Sequence, residues 1–451
     1  MAKDMTKGSL SRMLIAFSVP LILSGLLQQL YSWADAFIVG NAQGEAALAA
    51  IGATTSLFNL FTMLVTGFTS GVSILSAQLY GQGDHDAQKR ILFSFSSILG
   101  GISLLLTILC VPAANSLLRF LDTPADILDQ SAAYLGIVLL GLPCIAVYNV
   151  YSAVLRGMGD SRAPLLSVLV SSLLNVALDV LLVYGLRLGV RGAAAATLIS
   201  QALMTLFIVL YARRYAILRI PSAKAPFDKM LVARGCRLAL PITVQSGVNS
   251  VGHLALQNFM NGFGSQTVAA ITSAYRIDSI ILLPIINLGT AISTVVAQNT
   301  GAGYHERAGR GLAVGSAMMT AVSLSLTALV MALGGSLIAM FGVTEQAAQI
   351  GADFFRYLGA FYVVFGLCTA IRGYLEGLGD VVFSGAIGIA SLAVRIALSY
   401  ALRGYYGNMV IAWAEAYAWC FMLVMYLLRL QKKKRGREIQ CHLVKQVTPK
   451  K

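Results

Sequence analysis

Apolar residues in this chain run on in blocks of 20 or more, broken by short polar stretches, and do not alternate or recur on one face of otherwise charged segments. A helix that crosses a bilayer needs about 20 largely apolar residues, because hydrocarbon offers its backbone no other hydrogen-bond partners. Counting such blocks predicts twelve spans, at 13–37, 46–80, 91–113, 127–155, 163–186 and 192–212, then 237–262, 267–299, 311–333, 346–375, 382–403 and 409–430. Several are long enough to tilt or kink. The first has no small-residue cleavage site and holds Pro20 and Asp35, so it reads as a retained span, not a signal peptide.

Polar residues inside these blocks are the informative ones. In the block Ser171 to Tyr184, Asn175 and Asp179 are four residues apart, hence on one helical face. A carboxylate at that depth costs about 2.5–3.5 kcal/mol on insertion scales, which makes Asp179 a functional candidate. Asp35 is the other deep carboxylate of this half.

Composition agrees with a membrane protein: 57% of 451 residues are hydrophobic, 12% are charged and the mean hydropathy is +0.76. The net charge of +14 gains meaning from its distribution. Lys3, Lys7, Arg12, Lys89, Arg90, Arg156, Arg162, Arg307, Arg310, the loop around 213–236 and the tail Lys432 to Arg435 all fall on one side of the predicted topology. The other side carries Arg119, Arg187, Arg191 and Arg403. The positive-inside rule then places both termini in the cytoplasm, in a multi-pass protein of the cell membrane. The basic tail is expected to anchor topology and touch anionic lipid, with no nucleic-acid partner. Six cysteines are scattered without CxxC spacing, four histidines lie far apart, and neither GxSxG nor HExxH occurs. No enzyme, metal centre or organic cofactor is therefore expected.

The chain also repeats itself. Ala77-Gln78-Leu79-Tyr80-Gly81-Gln82-Gly83 is echoed 220 positions later by Ala297-Gln298-Asn299-Thr300-Gly301-Ala302-Gly303, and Leu155 to Asp160 by Leu375 to Asp380. This predicts an N-terminal six-helix lobe (1–212), a linker (213–236), a C-terminal six-helix lobe (237–430) and a basic tail (431–451). With six spans each, the lobes enter the membrane in the same orientation and relate by an axis along its normal.

On Pro20 to Gly40, the AQLYGQGD and LRGMGD loops, and NVALD followed by GVRGAAAATLIS, the chain resembles the multidrug and toxic compound extrusion (MATE) family, most nearly its prokaryotic DinF-type branch. The resemblance implies a V-shaped bundle that exports cationic or amphipathic small molecules in exchange for H⁺ or Na⁺ by alternating access; a monomer is expected. It places Asp35 at the first-helix carboxylate, Asn175 and Asp179 at the fifth-helix pair and Thr197 at a sixth-helix hydroxyl, together the coupling site. Two carboxylates, an amide oxygen and a hydroxyl are hard ligands for Na⁺, and paired carboxylates also share a proton. Some relatives have carboxylates deep in the seventh and tenth helices. This chain has none there, so coupling is expected in the N-terminal lobe. A lipid or lipid-linked oligosaccharide flippase of a related superfamily is the alternative; such proteins commonly carry two more helices and an arginine-lined cavity.

Aligning the halves sets Arg395 opposite Asn175, Ser399 opposite Asp179 and, after a small shift, Glu415 opposite Thr197. A buried Arg395–Glu415 pair, a permanent internal cation, is the expectation. Amphipathic cations bind through apolar and cation–π contact, so the cavity candidates are Gln28, Tyr31, Phe37, Phe58, Phe61, Met63, Tyr148 and Tyr151, with His253 and Arg276 from the second half. Pro20 and Gly25 would let the first helix straighten with the ion bound and kink on its release.

Overall fold

The computed structural model describes residues 4–218, 227–340 and 342–447, without the side chains of 216 and 435–447. Arg219 and Lys224 of the linker and the side chains of Arg435, Cys441 and His442 lie outside the described residues. The first lobe's spans are Leu10–Gln43, Glu45–Gly81, His85–Phe120, the pair Leu128–Leu139 and Leu142–Gly157, then Arg162–Asp179, which runs on as Val180–Gly185, and Gly189–Ala212. The second lobe's are Lys229–Asn261, the pair Ser265–Ile281 and Leu283–Gly301, His305–Ala339, the pair Glu345–Gly359 and Tyr362–Gly377, Val381–Ala401 and Val410–Val447. Eleven qualify as spans by length and hydropathy when each bent pair counts once. The twelfth is the seventh in order, Lys229–Asn261, whose Gln245, Asn249, His253, Gln257 and Asn258 lower its hydropathy.

The duplication extends to details that the spans alone do not reveal. The fourth span bends by 42° and the tenth by 50°, at positions 220 apart. Pro143 opens the inner half of the fourth, whereas Val363 stands at the matching position of the tenth. A proline alone therefore does not make the bend. A bend frees a carbonyl, which hydrocarbon cannot satisfy. Thr107 of the third span donates to the Leu139 carbonyl at 2.8 Å, and Thr327 of the ninth to the Gly359 carbonyl at 2.7 Å.

The lobes are not sealed off from one another. Leu14, Phe17 and Leu21, at the start of the first span, are buried in the second lobe's core beside Ile285, Leu288 and Val295. Reciprocally, Leu231, Leu238 and Ile242, at the start of the seventh, sit in the first lobe's core with Leu75, Phe95 and Val154. Each crossing span then returns to its own lobe: Ile38 and Val39 pack with Tyr134, Val183 and Ala193 of the first.

The crossing takes place at the end of the bundle that carries the basic loops, where the repeated AQxxG segments meet. Gln78 Nε2 donates to the Gly377 carbonyl at 3.2 Å, and Gln298 Nε2 to the Gly157 carbonyl at 2.7 Å. The other amide atom of each glutamine is also engaged: Arg234 donates to Gln78 Oε1 at 3.3 Å and the Met5 amide to Gln298 Oε1 at 2.9 Å. These bonds require two helices to touch backbone to backbone. A Cβ on Gly81 would lie 2.0 Å from the Gln298 carbonyl oxygen, and one on Gly301 2.0 Å from that of Gln78. Gly81→Ala is expected to prise the seam open at a cost of about 1–3 kcal/mol, roughly a 5–150-fold shift between closed and open forms. Spin labels at His85 and His305, both exposed, should move apart in Gly81→Ala and in Gly301→Ala. They should not do so in Gly101→Ala, whose Cβ meets nothing within 4 Å. Unchanged distances in all three would refute the seam. From the seam, second-to-seventh contact runs out to Ser250 and the Met63 sulfur, 3.1 Å apart; further on, His253 and Leu254 are exposed.

The same end holds two equivalent aspartates. Asp160 accepts from the amides of Arg162 and Ala163, at 2.9 and 3.2 Å, and from the Tyr215 hydroxyl at 2.5 Å. Asp380 accepts two bonds from Arg429, at 2.9 and 3.1 Å, and pairs with Lys433 at 3.0 Å. Each ties the start of its lobe's fifth span to the chain leaving the sixth. Burial alone would raise the Asp380 pKa, but the bonds from Arg429 and Lys433 outweigh it and hold the carboxyl below its ordinary value. Stability from a depressed pKa is present above the unfolded value, about 3.9, and is lost as pH falls through the folded one. Asp380→Asn should therefore lower the thermal midpoint at neutral pH, with the gap to wild type closing below about pH 4. A gap independent of pH would show that the charge does not matter.

Candidate functional site

In the first lobe the fifth span packs between the first and the sixth. It brings Asn175 and Asp179, 1% and 0% exposed, against Asp35 of the first, which is half-buried. Asp35 and Asp179 are close enough to act on each other electrostatically. Immediately after Asp179 the helix widens into a π-helical stretch, Val180–Gly185. Such insertions disturb regular packing and recur at functional positions. Thr197 of the sixth span, 8% exposed, lies beside Tyr134 of the fourth, which is itself within electrostatic reach of Asp35 and Asp179.

Hydrogen bonding does not satisfy these side chains. Both side-chain atoms of Asn175, both carboxylate oxygens of Asp179 and Oδ1 of Asp35 are buried without a partner. Leaving one such group unpaired costs about 1–3 kcal/mol, more if it is charged. Five in one place constitute a demand for a ligand. The donors are two carboxylates, an amide and a hydroxyl, which fits a hard monovalent cation or a shared proton. Among the described residues no three His, Cys, Asp or Glu side chains are grouped as metal ligands.

Two tyrosines frame the group. Tyr31, one turn before Asp35, lies within electrostatic reach of both carboxylates. Tyr134 of the fourth span stands beside Thr197 and within reach of Asp35, Asp179 and Tyr31. Sequence reasoning passed over Tyr134, a lone tyrosine in an apolar run. The available signal was its counterpart 220 positions on, Phe354, which keeps the ring and loses the hydroxyl.

The second lobe's copy of this place is built differently. Ser171 donates to the Ser200 carbonyl at 3.1 Å, and Ser391 to the Ala418 carbonyl at 3.0 Å. The serines are 220 apart and the acceptors 218, so the last span is shifted by two and Thr197 corresponds to Glu415. Arg395, opposite Asn175, meets Glu415 at 2.8 Å. The Tyr275 hydroxyl bridges them, accepting from Arg395 at 2.6 Å and donating to Glu415 at 3.1 Å. Both charged residues are buried. A guanidinium thus occupies the position that the first lobe leaves for a ligand.

The remaining candidates divide. Gln28, Phe37 and Met63 are exposed. Phe58 and Phe61 pack against Ala114, Leu118 and Leu135 of the third and fourth spans. Tyr148 is 7% exposed within the first lobe's core, with Tyr151 packed on that core. Tyr148 is thereby a packing residue of that core. His253 is exposed, within reach of Arg395 and Glu415. Arg276, also exposed, helps line a shallow pocket of about 550 Å³ with Asn261, Ser265 and Thr272. Arg372 and Glu376, one turn apart near the inner end of the tenth span, are 2.7 Å apart, and Arg372 also donates to the buried Gln245 of the seventh span at 3.1 Å.

Twelve spans in two repeated lobes, with a cluster of unpartnered polar atoms in one and a resident ion pair in the other, define an integral membrane protein built by duplication of a six-helix unit. The family model MatE matches it twice, over residues 20–181 and 241–401, and the chain belongs to that family. Similar proteins include the "Probable multidrug resistance protein" YoeA of Bacillus subtilis, 28% identical over 412 residues, covering 89% of this chain and 88% of that one. Another is the "Multidrug export protein MepA" of Staphylococcus aureus, 23% identical over 436 residues, covering 94% and 95%. The fold matches that of a multidrug resistance MATE family transporter of the MOP superfamily in an outward-facing conformation, with a TM-score of 0.89 at 23% identity over 97% of this chain and 99% of that one. It also matches a MOP superfamily transporter from Pyrococcus furiosus, with a TM-score of 0.86 at 25% identity over 96% and 98%.

Proposed function

We propose that this protein exports cationic or amphipathic small molecules across the cell membrane in exchange for H⁺ or Na⁺, by alternating access between its lobes. The observation that carries this reading is the set of five buried, unpartnered atoms on Asp35, Asn175 and Asp179. The entering ion satisfies the four oxygens among them. Family membership and relatives named for multidrug export support the direction and the substrate class. Both termini and the basic seam face the cytoplasm, and second-to-seventh contact runs outward from that seam to Ser250 and Met63.

The first span links the two events. Its start is held in the second lobe and its end, with Asp35, in the first, with Pro20 and Gly25 between. An ion bound at Asp35 and Asp179 pulls the outer half toward the fifth span; its release lets that half move against the anchored inner half. Energetics require such coupling. Expelling a monovalent cation against 100 mV costs about 2.3 kcal/mol. One entering cation balances only that charge, so its own gradient, about 1.4 kcal/mol per tenfold, drives the export.

The test is ethidium export from proteoliposomes under an imposed pH gradient, an imposed Na⁺ gradient or neither. Export that follows one gradient supports the reading and names the ion. Export under neither, together with scrambling of a fluorescent lipid, would replace it with the flippase.

A further inference from the structure

The second lobe buries more negative than positive charge. Besides Arg395 and Glu415 it holds Asp278, one turn from Tyr275 on the eighth span and 5% exposed. Asp278 Oδ1 is hydrogen-bonded to the Tyr362 hydroxyl of the tenth span. Facing this cluster are Tyr275 and Asp278 from the eighth span, Tyr362 from the tenth, Arg395 from the eleventh and Glu415 from the twelfth, with His253 of the seventh reaching Arg395 and Glu415. With both acids ionised, one guanidinium would face two carboxylates and the cluster would carry a net charge of −1. Glu415 takes the guanidinium and a tyrosine hydroxyl directly. Among the described residues Asp278 has one neutral hydroxyl in contact and no cation within ion-pair distance. A buried carboxylate without a counter-ion takes up a proton in preference to remaining charged.

We propose that Asp278 is a second proton-binding site, in the second lobe, separate from Asp35 and Asp179. Binding is the transfer of one proton from a solvent hydronium ion, which leaves as water, to the Asp278 carboxylate, giving a neutral acid beside Tyr362 and taking the cluster from −1 to zero. The resident Arg395 sets this stoichiometry: it neutralises one acid and leaves the other to hold a proton. The site's existence does not depend on the proposed export; its use in that cycle does. An exchanging proton here would add a second coupling step in the lobe that lacks the cation site.

The test is infrared spectroscopy of the full chain in nanodiscs, reading the C=O stretch of protonated, buried carboxylic acids at pH 7. Asp35→Asn/Asp179→Asn should retain one such band, and adding Asp278→Asn should abolish it. Tyr362→Phe should move the band to higher frequency by removing a hydrogen bond. Should Asp278→Asn fail to fold, Asp278→Glu serves instead, with a displaced band expected. Absence of any band in the Asp35/Asp179 double variant, or a band unmoved by every change at 278 and 362, would overturn the proposal. Ethidium export in the same variants separates the two readings: a band at 278 without gradient-driven export in wild type leaves this site standing and the export reading fallen.

Discussion

Proteoliposomes carrying Asp179→Asn are expected to lose gradient-driven ethidium export by about 5–150-fold, the size of a typical coupling free energy. Asparagine keeps the shape and one oxygen but carries no charge and holds no proton. Asp179 is wholly buried with both oxygens unpartnered. The same substitution should leave the protein as stable or more so, because it removes an unsatisfied buried charge. Asp35→Asn should lose export similarly, and the double variant should be little worse than either, since the two acids act as one unit. Export that survives at the wild-type rate would move coupling out of the first lobe; reduced stability with export intact would give Asp179 a purely structural role.

Glu415→Gln should be among the most destabilising conservative changes in the second lobe. Removing one partner of a buried pair costs about 3–5 kcal/mol, while removing both is often neutral. The lower end applies here, because Asp278 can give up its proton and lend its charge to Arg395. Arg395→Met/Glu415→Gln should therefore recover most of the loss in thermal midpoint. Single and double variants of equal stability would show that the pair does not hold the lobe together. The two predictions have opposite signs at equivalent positions. Neutralising an acid where the ligand comes from outside relieves the fold, and neutralising one where the cation is built in strands it.

How far the sequence revealed this arrangement depends on what each feature needs. Hydrocarbon imposes a strict composition on its helices, so twelve spans were readable, including the seventh, whose polar face nearly conceals it. Charge in hydrocarbon stands out in the same way, which is why Asp35 and Asp179 were legible; Asn175 followed from its spacing to Asp179, and Thr197 only from the resemblance to the MATE family. Internal repetition extended that reading to Arg395 and Glu415. The two-residue shift that brings Glu415 into register is fixed by the Ser171 and Ser391 bonds. Tyr134, the Thr107 and Thr327 braces and the partner of Asp278 stayed hidden because hydroxyls in apolar runs are common and only contact gives them meaning. The crossing of the first and seventh spans was illegible for a related reason: Leu14 and Phe17 read as lipid-facing or core alike until a neighbour is assigned.

That crossing also sets an order of assembly. Met5 meets Gln298, 293 residues away in the sequence, and Leu14, Phe17 and Leu21 wait for the eighth span. Through the synthesis of most of the chain, the first helix must sit in the membrane with its inner half undocked. The nascent first lobe is thus an unfinished body, and the emergence of the eighth span from the ribosome is the earliest point at which its opening segment can dock.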